Sequence, residues 1–289
     1  MISFRYHLVS IAAVLLALAA GVALGAGPLD DSSVLAGEDA SGSSADPAIA
    51  RFESGYAALT SGALLKDALK GRSVVVLTLP GARAEETKDI RSNIEKAGAD
   101  VTGDVQLTAK LVDPANRQFA EGVAQQAASD VEGVTDAGES YGRIGAALGR
   151  SVLGDPGEKL DTTATTISSA FDEGQLVSYG SKPKAFADLA VIVSGPGRAG
   201  DSGSVSAQLA KAIDGAGKGA VLAGPSTSSQ DGGVLAELRD SDAASQVSTV
   251  DVTDTAAGRV VVALALARES KGQSGSWGTS RSADGAVPR

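Results

Sequence analysis

The longest apolar run of the sequence lies at its amino terminus. Between Leu8 and Leu29 there is no charged residue, and the polar content is Ser10 together with glycines. As a helix this run would be roughly 33 Å long, enough to cross a hydrocarbon core of about 30 Å. The pattern therefore predicts that residues 1–29 form a short cytoplasmic stub and a single transmembrane anchor.

A cleaved secretory signal is the alternative interpretation of this segment. The apolar region of a signal is normally about 7–15 residues, which is shorter than this run, although Ala23 and Gly25 are suitably placed for cleavage. Arg5 precedes the run and Asp30 and Asp31 follow it, and basic flanks stay in the cytoplasm. On both interpretations the remaining chain lies outside the cytoplasm, and retention places the protein in the inner (plasma) membrane.

A polar stretch and then a heptad-like pattern follow the apolar run. Residues 30–48 are rich in Ser, Asp and Gly and predict a flexible linker. In the next segment, apolar residues recur at intervals of three and four, at Ile49, Phe52, Tyr56 and Leu59. The repeat lasts about two heptads, too few for a self-sufficient coiled coil. It predicts a short helical connector over residues 49–71 that docks on a neighbouring domain or on a second copy.

From residue 72 onwards, short apolar runs alternate with helical patterns. Strands are predicted at Ser73–Ala82, Ala99–Leu107, Leu176–Gly180, Ala187–Gly195, Gly219–Ser226 and Ser245–Thr253. Such alternation is typical of a Rossmann-like, doubly wound and mostly parallel α/β sheet. The predicted domain covers residues 72–270, and its last helix begins at an Asp254 cap. Residues 271–289 predict a disordered tail with a solvated Trp277.

Composition argues against several kinds of chemistry. The chain has 35 acidic and 25 basic residues, a net charge of −10, which argues against nucleic-acid binding. It has no cysteine, and its one histidine is His7, so neither a Ser–His triad nor a thiolate or imidazole metal site is expected. The acidic pairs Glu85/Glu86 and Asp251/Asp254 are interpreted as helix caps or solvated groups. We therefore expect no catalytic residue, no metal and no cofactor.

The loops after the predicted strands supply further candidate site residues. Ligands of open α/β sheets bind at the carboxyl ends of the strands, which here lead into Pro80, Gly195, Gly197 and Pro225. Residues 195–200 also match the pattern G-x-G-x-x-G, but the next strand ends without the acid that a dinucleotide site needs. We interpret this loop as an ordinary one. These four positions and the four apolar connector residues are the predicted partner-binding residues.

Two sequence stretches carry a resemblance to a known family. They are the opening MISFRYHLVSIAAVLLALAAGVALGAGPL and the motif DPANRQF at residues 113–119. The chain resembles the actinobacterial copper transporter (MctB) family, which also includes proteins called SteB. The resemblance implies an envelope protein with one amino-terminal span and a Rossmann-like exported domain. Many members carry a long coiled coil after the span, and the two heptads here depart from that pattern.

The resemblance leaves two functions open. Some members are described as outer-membrane copper channels that keep intracellular copper low, and others pair with a SteA-type partner in cell division. A membrane barrel needs strands that alternate apolar and polar residues, whereas the continuous apolar runs here are typical of a buried parallel sheet. The expected function is a non-enzymatic, membrane-anchored scaffold that binds a SteA-like envelope protein or a second copy. The alternative is copper transport, with an outer-membrane location.

Overall fold

The computed structural model describes residues 46–138, 140–197, 200 and 202–288. The predicted span Leu8–Leu29 and nearly all of the predicted linker lie outside these residues. None of the helices within the described ranges combines the length and the apolar composition that a membrane crossing requires.

One sheet forms the centre of the described chain. Its strands are β1 (Ser73–Thr78), β2 (Asp100–Leu107), β3 (Val177–Ser181), β4 (Leu189–Val193), β5 (Ala220–Ala223), β6 (Ser248–Val250) and β7 (Ser276–Trp277). They lie in the order β3-β2-β1-β4-β5-β6-β7. All neighbouring strands are parallel except β3, which runs antiparallel to β2 at one side of the sheet. The prediction of a mostly parallel α/β sheet is confirmed.

Helices cover both faces of the sheet. They are α1 (Pro47–Leu65), α2 (Ala84–Lys96), α3 (Ala109–Val112), α4 (Arg117–Ala127), α5 (Glu132–Thr135), α6 (Ser140–Val152), α7 (Thr162–Glu173), α8 (Ser202–Asp214), α9 (Val234–Arg239) and α10 (Ala256–Glu269). In β1, Val75 and Leu77 share a core with α4 and α6–α9, whereas Val74 and Val76 pack with α1, α2 and α10. Successive strand residues face opposite sides, so a sheet covered on both faces is apolar at every position.

The amino edge of the sheet is lined by carboxylates. At four strands, the first backbone N–H donates a hydrogen bond of 2.7–2.9 Å to a carboxylate oxygen. The pairs are Ser73 with Asp188, Ala220 with Asp214, Ser248 with Glu269 and Ser276 with Asp284. A buried N–H group without a partner would cost free energy, so these carboxylates stabilise the starts of the strands.

The described part of the predicted disordered tail is ordered instead. Ser276 and Trp277 form β7 beside β6, and Trp277 is buried, so the prediction of a solvated tryptophan is wrong. Asp251 accepts a hydrogen bond of 2.7 Å from the backbone N–H of Thr279 and pairs with Arg239 at 2.6 Å. The segment has no apolar run that would predict a strand. Polar contacts to buried carboxylates, together with apolar burial, hold it against the sheet.

Other predictions about acidic residues and helix starts also change. Asp251 and Glu86 are buried rather than solvated, and Glu86 accepts a hydrogen bond of 2.9 Å from the hydroxyl of Thr253. Thr255, not Asp254, is the N-cap of α10. The burial of these carboxylates depends on partners distant in sequence, and the position of the N-cap depends on local backbone angles. The sequence pattern alone reveals neither.

The connector helix is shifted relative to its prediction. Helix α1 begins at Pro47, inside the predicted linker, and ends at Leu65 rather than near residue 71. The carboxylate of Asp46 accepts a hydrogen bond of 2.8 Å from the N–H of Ala48. Asp followed by Pro is a strong helix-start signal, so this boundary was readable from the sequence.

Candidate functional site

The predicted connector residues form an exposed apolar stripe on α1. Ile49, Phe52, Tyr56 and Leu59 are each between 61% and 82% exposed. The rings of Phe52 and Tyr56 stack with their centroids 6.4 Å apart. We call these four residues the α1 stripe. Large apolar side chains grouped on one exposed face mark an interaction surface more often than scattered ones do.

The opposite face of α1 fixes the helix to the domain. Ala57, Ser61 and Leu65 are buried against it. The carboxylate of Glu53 accepts hydrogen bonds from the backbone N–H groups of Ala256 and Ala257, at 3.3 and 2.6 Å. These N–H groups open α10, where the helix dipole favours a negative charge. The residues that dock α1 on the domain are therefore different from the stripe residues. Among the described residues, the stripe does not make the contact with the domain that the sequence predicted.

The predicted loop residues gather at the centre of the carboxyl edge. The strand order reverses between β1 and β4, so the loops that follow these strands diverge and leave a crevice between them. Its cavity has a volume of about 220 Å³. The lining includes Leu79, Pro80, Ser194, Gly195, Gly197 and Ser202. We call this cavity the switch-point crevice. Three of the four predicted loop residues lie in it.

Glycine is required at the base of this crevice. A Cβ atom on Gly195 would lie within 3.0 Å of the backbone carbonyl of Gly81, so the loops after β1 and β4 are in backbone contact. Gly197 has a positive φ of 82°, and its N–H donates a hydrogen bond of 3.0 Å to the hydroxyl of Thr227. The two predicted glycines thus have structural reasons for their identity.

Pro225 is the predicted loop residue outside the crevice lining. It follows β5, and its carbonyl oxygen accepts a hydrogen bond of 2.6 Å from the hydroxyl of Ser228. This contact closes the turn after β5. The structure therefore brings Pro80, Gly195 and Gly197 together and leaves Pro225 in a turn beside them.

Ser194 is a crevice residue that the sequence analysis missed. It is 1% exposed, and within the part of the chain that the structure describes its hydroxyl has no hydrogen-bond partner. A Cβ on Gly224 would come within 3.0 Å of this hydroxyl. The available signal was a polar residue placed directly after the apolar strand β4, at the end where ligands of such sheets bind.

The described residues offer limited metal chemistry. No three His, Cys, Asp or Glu side chains within the described ranges are grouped as a metal site would require. The one histidine, His7, lies outside those ranges. The geometry of the stripe and the crevice is instead that of surfaces for apolar and small polar groups.

Comparison with known proteins identifies relatives along the whole chain. A family model described as "Copper transport outer membrane protein, MctB" matches residues 1–288. A protein named copper transporter MctB from Mycobacterium tuberculosis is 30% identical over 293 residues, which is 92% of each chain. A protein of the same name from Mycobacterium leprae is 28% identical over 295 residues, again 92% of each chain.

Proposed function

The chain belongs to the MctB family, and from this premise we propose that it is a non-enzymatic, membrane-anchored envelope protein that binds a partner protein. Its α1 stripe inserts into an apolar groove on that partner. The family description supports an envelope location. The observation that carries the proposal is the exposure of all four stripe residues on a helix that is already fixed from its other side.

The spacing of the stripe suits a helix-in-groove interaction. Positions 49, 52, 56 and 59 are separated by three and four residues, as the anchors of an amphipathic helix are when it lies in a groove. Because Glu53 and Leu65 already hold α1 on the domain, little conformational freedom is lost when a partner binds. A tether to the membrane would further raise the effective concentration of the domain for envelope partners.

The length of the stripe favours a folded partner over a second copy. A helix pair that is stable by itself needs about three to four heptads, and the stripe spans about half of that. Gly55 and Gly62 have open space beside their Cα atoms, which allows a partner to approach the helix backbone closely. The partner must therefore contribute a groove with its own fold rather than an identical short helix.

Site-specific cross-linking of the full-length chain in native membranes tests this proposal. A photo-reactive residue replaces Tyr56, or replaces Phe119 on α4 as the matched control, since Phe119 is also an exposed aromatic residue. We expect an adduct with one envelope protein from position 56 only, mapped by mass spectrometry to an apolar groove. The double variant Phe52→Ser/Leu59→Ser should abolish this adduct while leaving stability within about 0.5 kcal/mol of the parent.

Three outcomes would contradict the proposal. An adduct between two copies of the chain would show self-association, and an adduct with lipid alone would show membrane contact. Equal adducts from positions 56 and 119 would show that the stripe has no special role.

Copper transport is the second candidate, and the names of the family and its relatives favour it. Copper prefers thiolate, thioether and imidazole ligands, and the chain has no cysteine, one histidine and one methionine. Calorimetric titration of the full-length chain with Cu(I) and Cu(II) separates the candidates, with His7→Gln as the matched variant. A stoichiometric site would support copper handling, and its absence would support the partner-binding proposal.

A further inference from the structure

Three long helices begin around one cavity on the α6 and α8 side of the sheet. The cavity has a volume of about 880 Å³, and its lining includes Arg117, Ser140, Tyr141, Arg143, Ser204 and Gln208. We call it the helix-end cavity. Arg117 is the first residue of α4, Ser140 is the first residue of α6, and Ser204 lies in the first turn of α8.

Glycine contacts show that α6 and α8 run in the same direction. A Cβ on Gly145 would lie within 3.0 Å of Ala212, and a Cβ on Gly149 would lie within 3.0 Å of Ala216. A step of four residues towards the carboxyl end of α6 moves the contact four residues in the same direction along the second segment. The helices are therefore parallel and in close contact. Their amino termini, each with a partial positive charge, therefore lie side by side at the cavity.

Two arginines contribute full positive charges. Arg117 is exposed and forms no ion pair with any described residue, whereas Arg143 pairs with Glu121. The Ser140 hydroxyl and Arg143 hold the pKa of Glu121 below its ordinary value, so Glu121 remains ionised and fixes Arg143. Among the described residues, Asp113 is a further nearby carboxylate, and it accepts a hydrogen bond from the N–H of Ala115.

The hydroxyl of Tyr141 is the observation that points to a ligand. Tyr141 is 6% exposed and lines the cavity, and its hydroxyl has no hydrogen-bond partner among the described residues. Burial raises the pKa of this phenol, while the charge of Arg117 acts in the opposite direction. A buried donor without a partner costs free energy, and an acceptor oxygen placed in the cavity would recover it.

We propose that the helix-end cavity binds an oxyanion, and that its ligand is the phosphate group of a small phosphorylated molecule. Donors converge from Arg117, a phenol and adjacent helix termini, which suits a tetrahedral group with several oxygens better than a planar carboxylate, whereas the nitrogens of Arg143 already donate to Glu121 and to the Gly138 carbonyl. The volume leaves space for an organic part. Because the chain has a net charge of −10, long-range attraction does not explain such binding, so local donors must provide it.

Calorimetric titration of the full-length chain tests this proposal with inorganic phosphate, glycerol phosphate and acetate at constant ionic strength. We expect glycerol phosphate to bind more tightly than inorganic phosphate and acetate not to bind. Arg117→Gln should weaken glycerol phosphate binding about tenfold or more, the loss expected for one charged hydrogen bond. Arg51→Gln, which removes an exposed charge on α1, should leave the affinity unchanged.

Tyr141→Phe separates a ligand-binding role from a structural one. It should leave the melting temperature without ligand unchanged or higher, because no hydrogen bond is lost, and weaken glycerol phosphate binding several-fold. The proposal is overturned if neither phosphate compound binds, if inorganic phosphate binds at least as tightly as the ester, or if Arg117→Gln and Arg51→Gln behave alike. The α1 stripe shares no residue with this cavity, so the partner-binding proposal stands or fails separately.

Discussion

At the amino edge of the sheet, four carboxylates, of which Asp188 and Glu269 are buried, accept hydrogen bonds from the first N–H groups of four strands. Near the carboxyl edge, by contrast, the hydroxyls of Ser194 and Tyr141 are buried without a partner in the described ranges. Arg117, beside Tyr141, pairs with no described carboxylate. The amino edge uses its carboxylates to hold the starts of the strands, whereas the carboxyl edge combines structural carboxylates such as Asp251 with the hydroxyls of Ser194 and Tyr141 and the guanidinium of Arg117.

The difference follows from the geometry of a parallel sheet. Parallel strands all begin at the amino edge, so anionic side chains there can accept hydrogen bonds from the first N–H group of each strand. At the carboxyl edge, diverging loops and helix amino termini form concave surfaces. We therefore expect substitutions at the amino edge to change stability, and substitutions at the carboxyl edge to change binding unless they cause a steric clash or remove a structural hydrogen bond.

The largest loss of stability is expected from Asp188→Ala. Asp188 is fully buried and accepts hydrogen bonds from the N–H of Ser73 at 2.8 Å and from Arg72 at 3.0 Å. Breaking such a buried pair costs about 3–5 kcal/mol. Urea unfolding of the full-length chain, followed by circular dichroism, measures this loss. Asp130→Ala, at an exposed position, should change stability by less than about 0.5 kcal/mol, and similar values for both variants would refute the comparison.

The next largest effect is expected from Gly195→Ala, where the carboxyl edge has no spare space. The new Cβ would clash with the backbone of Gly81, which cannot rotate away, and such overpacking costs about 1–3 kcal/mol. Gly122→Ala is the matched control, because it lies within α4 and nothing lies within 4 Å of its new Cβ. It should raise stability by roughly 0.5–1 kcal/mol. A neutral Gly195→Ala would mean that the two loops are not in contact.

Asp214→Asn should reveal a pH dependence at the amino edge. Burial, together with the charge of Glu269, raises the pKa of Asp214 to about 6. Because this folded-state pKa is above the ordinary value of 3.8, the contribution of Asp214 to stability is complete below pH 3.8 and is lost as the pH rises through about 6.

The asparagine variant removes this titration, and its amide oxygen can still accept the hydrogen bond from Ala220. The free energy of unfolding of Asp214→Asn relative to the parent should therefore increase between pH 4 and pH 7. Unfolding curves at four or five pH values measure the difference. A difference that does not vary with pH would show that Asp214 titrates normally.

The smallest effect on stability is expected from Ser194→Ala, at the carboxyl edge. Its hydroxyl makes no hydrogen bond to any residue that the structure describes, so stability should be unchanged or higher by up to about 1 kcal/mol. Ser228→Ala nearby loses a hydrogen bond of 2.6 Å to the Pro225 carbonyl and should cost about 1 kcal/mol. Equal losses in the same unfolding assay would mean that Ser194 also has a partner in solution.

Much of the fold was predictable because buried parallel strands are apolar on both faces. The runs that form β1, β4 and β5 stand out for this reason. The antiparallel direction of β3 was not predictable, because strand direction depends on the route of the preceding helices. Strand β7 was missed because Asp284 holds Ser276 and Asp251 holds the following Thr279, so that the segment needs no apolar run.

The residues of the candidate surfaces also divide into those that the sequence predicted and those that it did not. The heptad spacing of residues 49–59 identified the α1 stripe, and the positions of Pro80, Gly195 and Gly197 after strands identified the crevice. The sequence did not reveal Ser194, Tyr141 or Arg117 as site residues. Serine, tyrosine and arginine are common. Burial without a described partner distinguishes Ser194 and Tyr141, and the lack of an ion pair with any described residue distinguishes Arg117.

The class of fold, the family and the spacing of the apolar residues could be predicted from the sequence alone, because they depend on local periodicity and on similarity along the chain. The tertiary structure decided which polar groups are satisfied and which are not. That distinction depends on residues far apart in sequence, such as Asp188 with Arg72 and Glu53 with the start of α10. Hydrogen bonds between distant residues leave no periodic trace, so stability at one edge and binding capacity at the other became visible only in the folded chain.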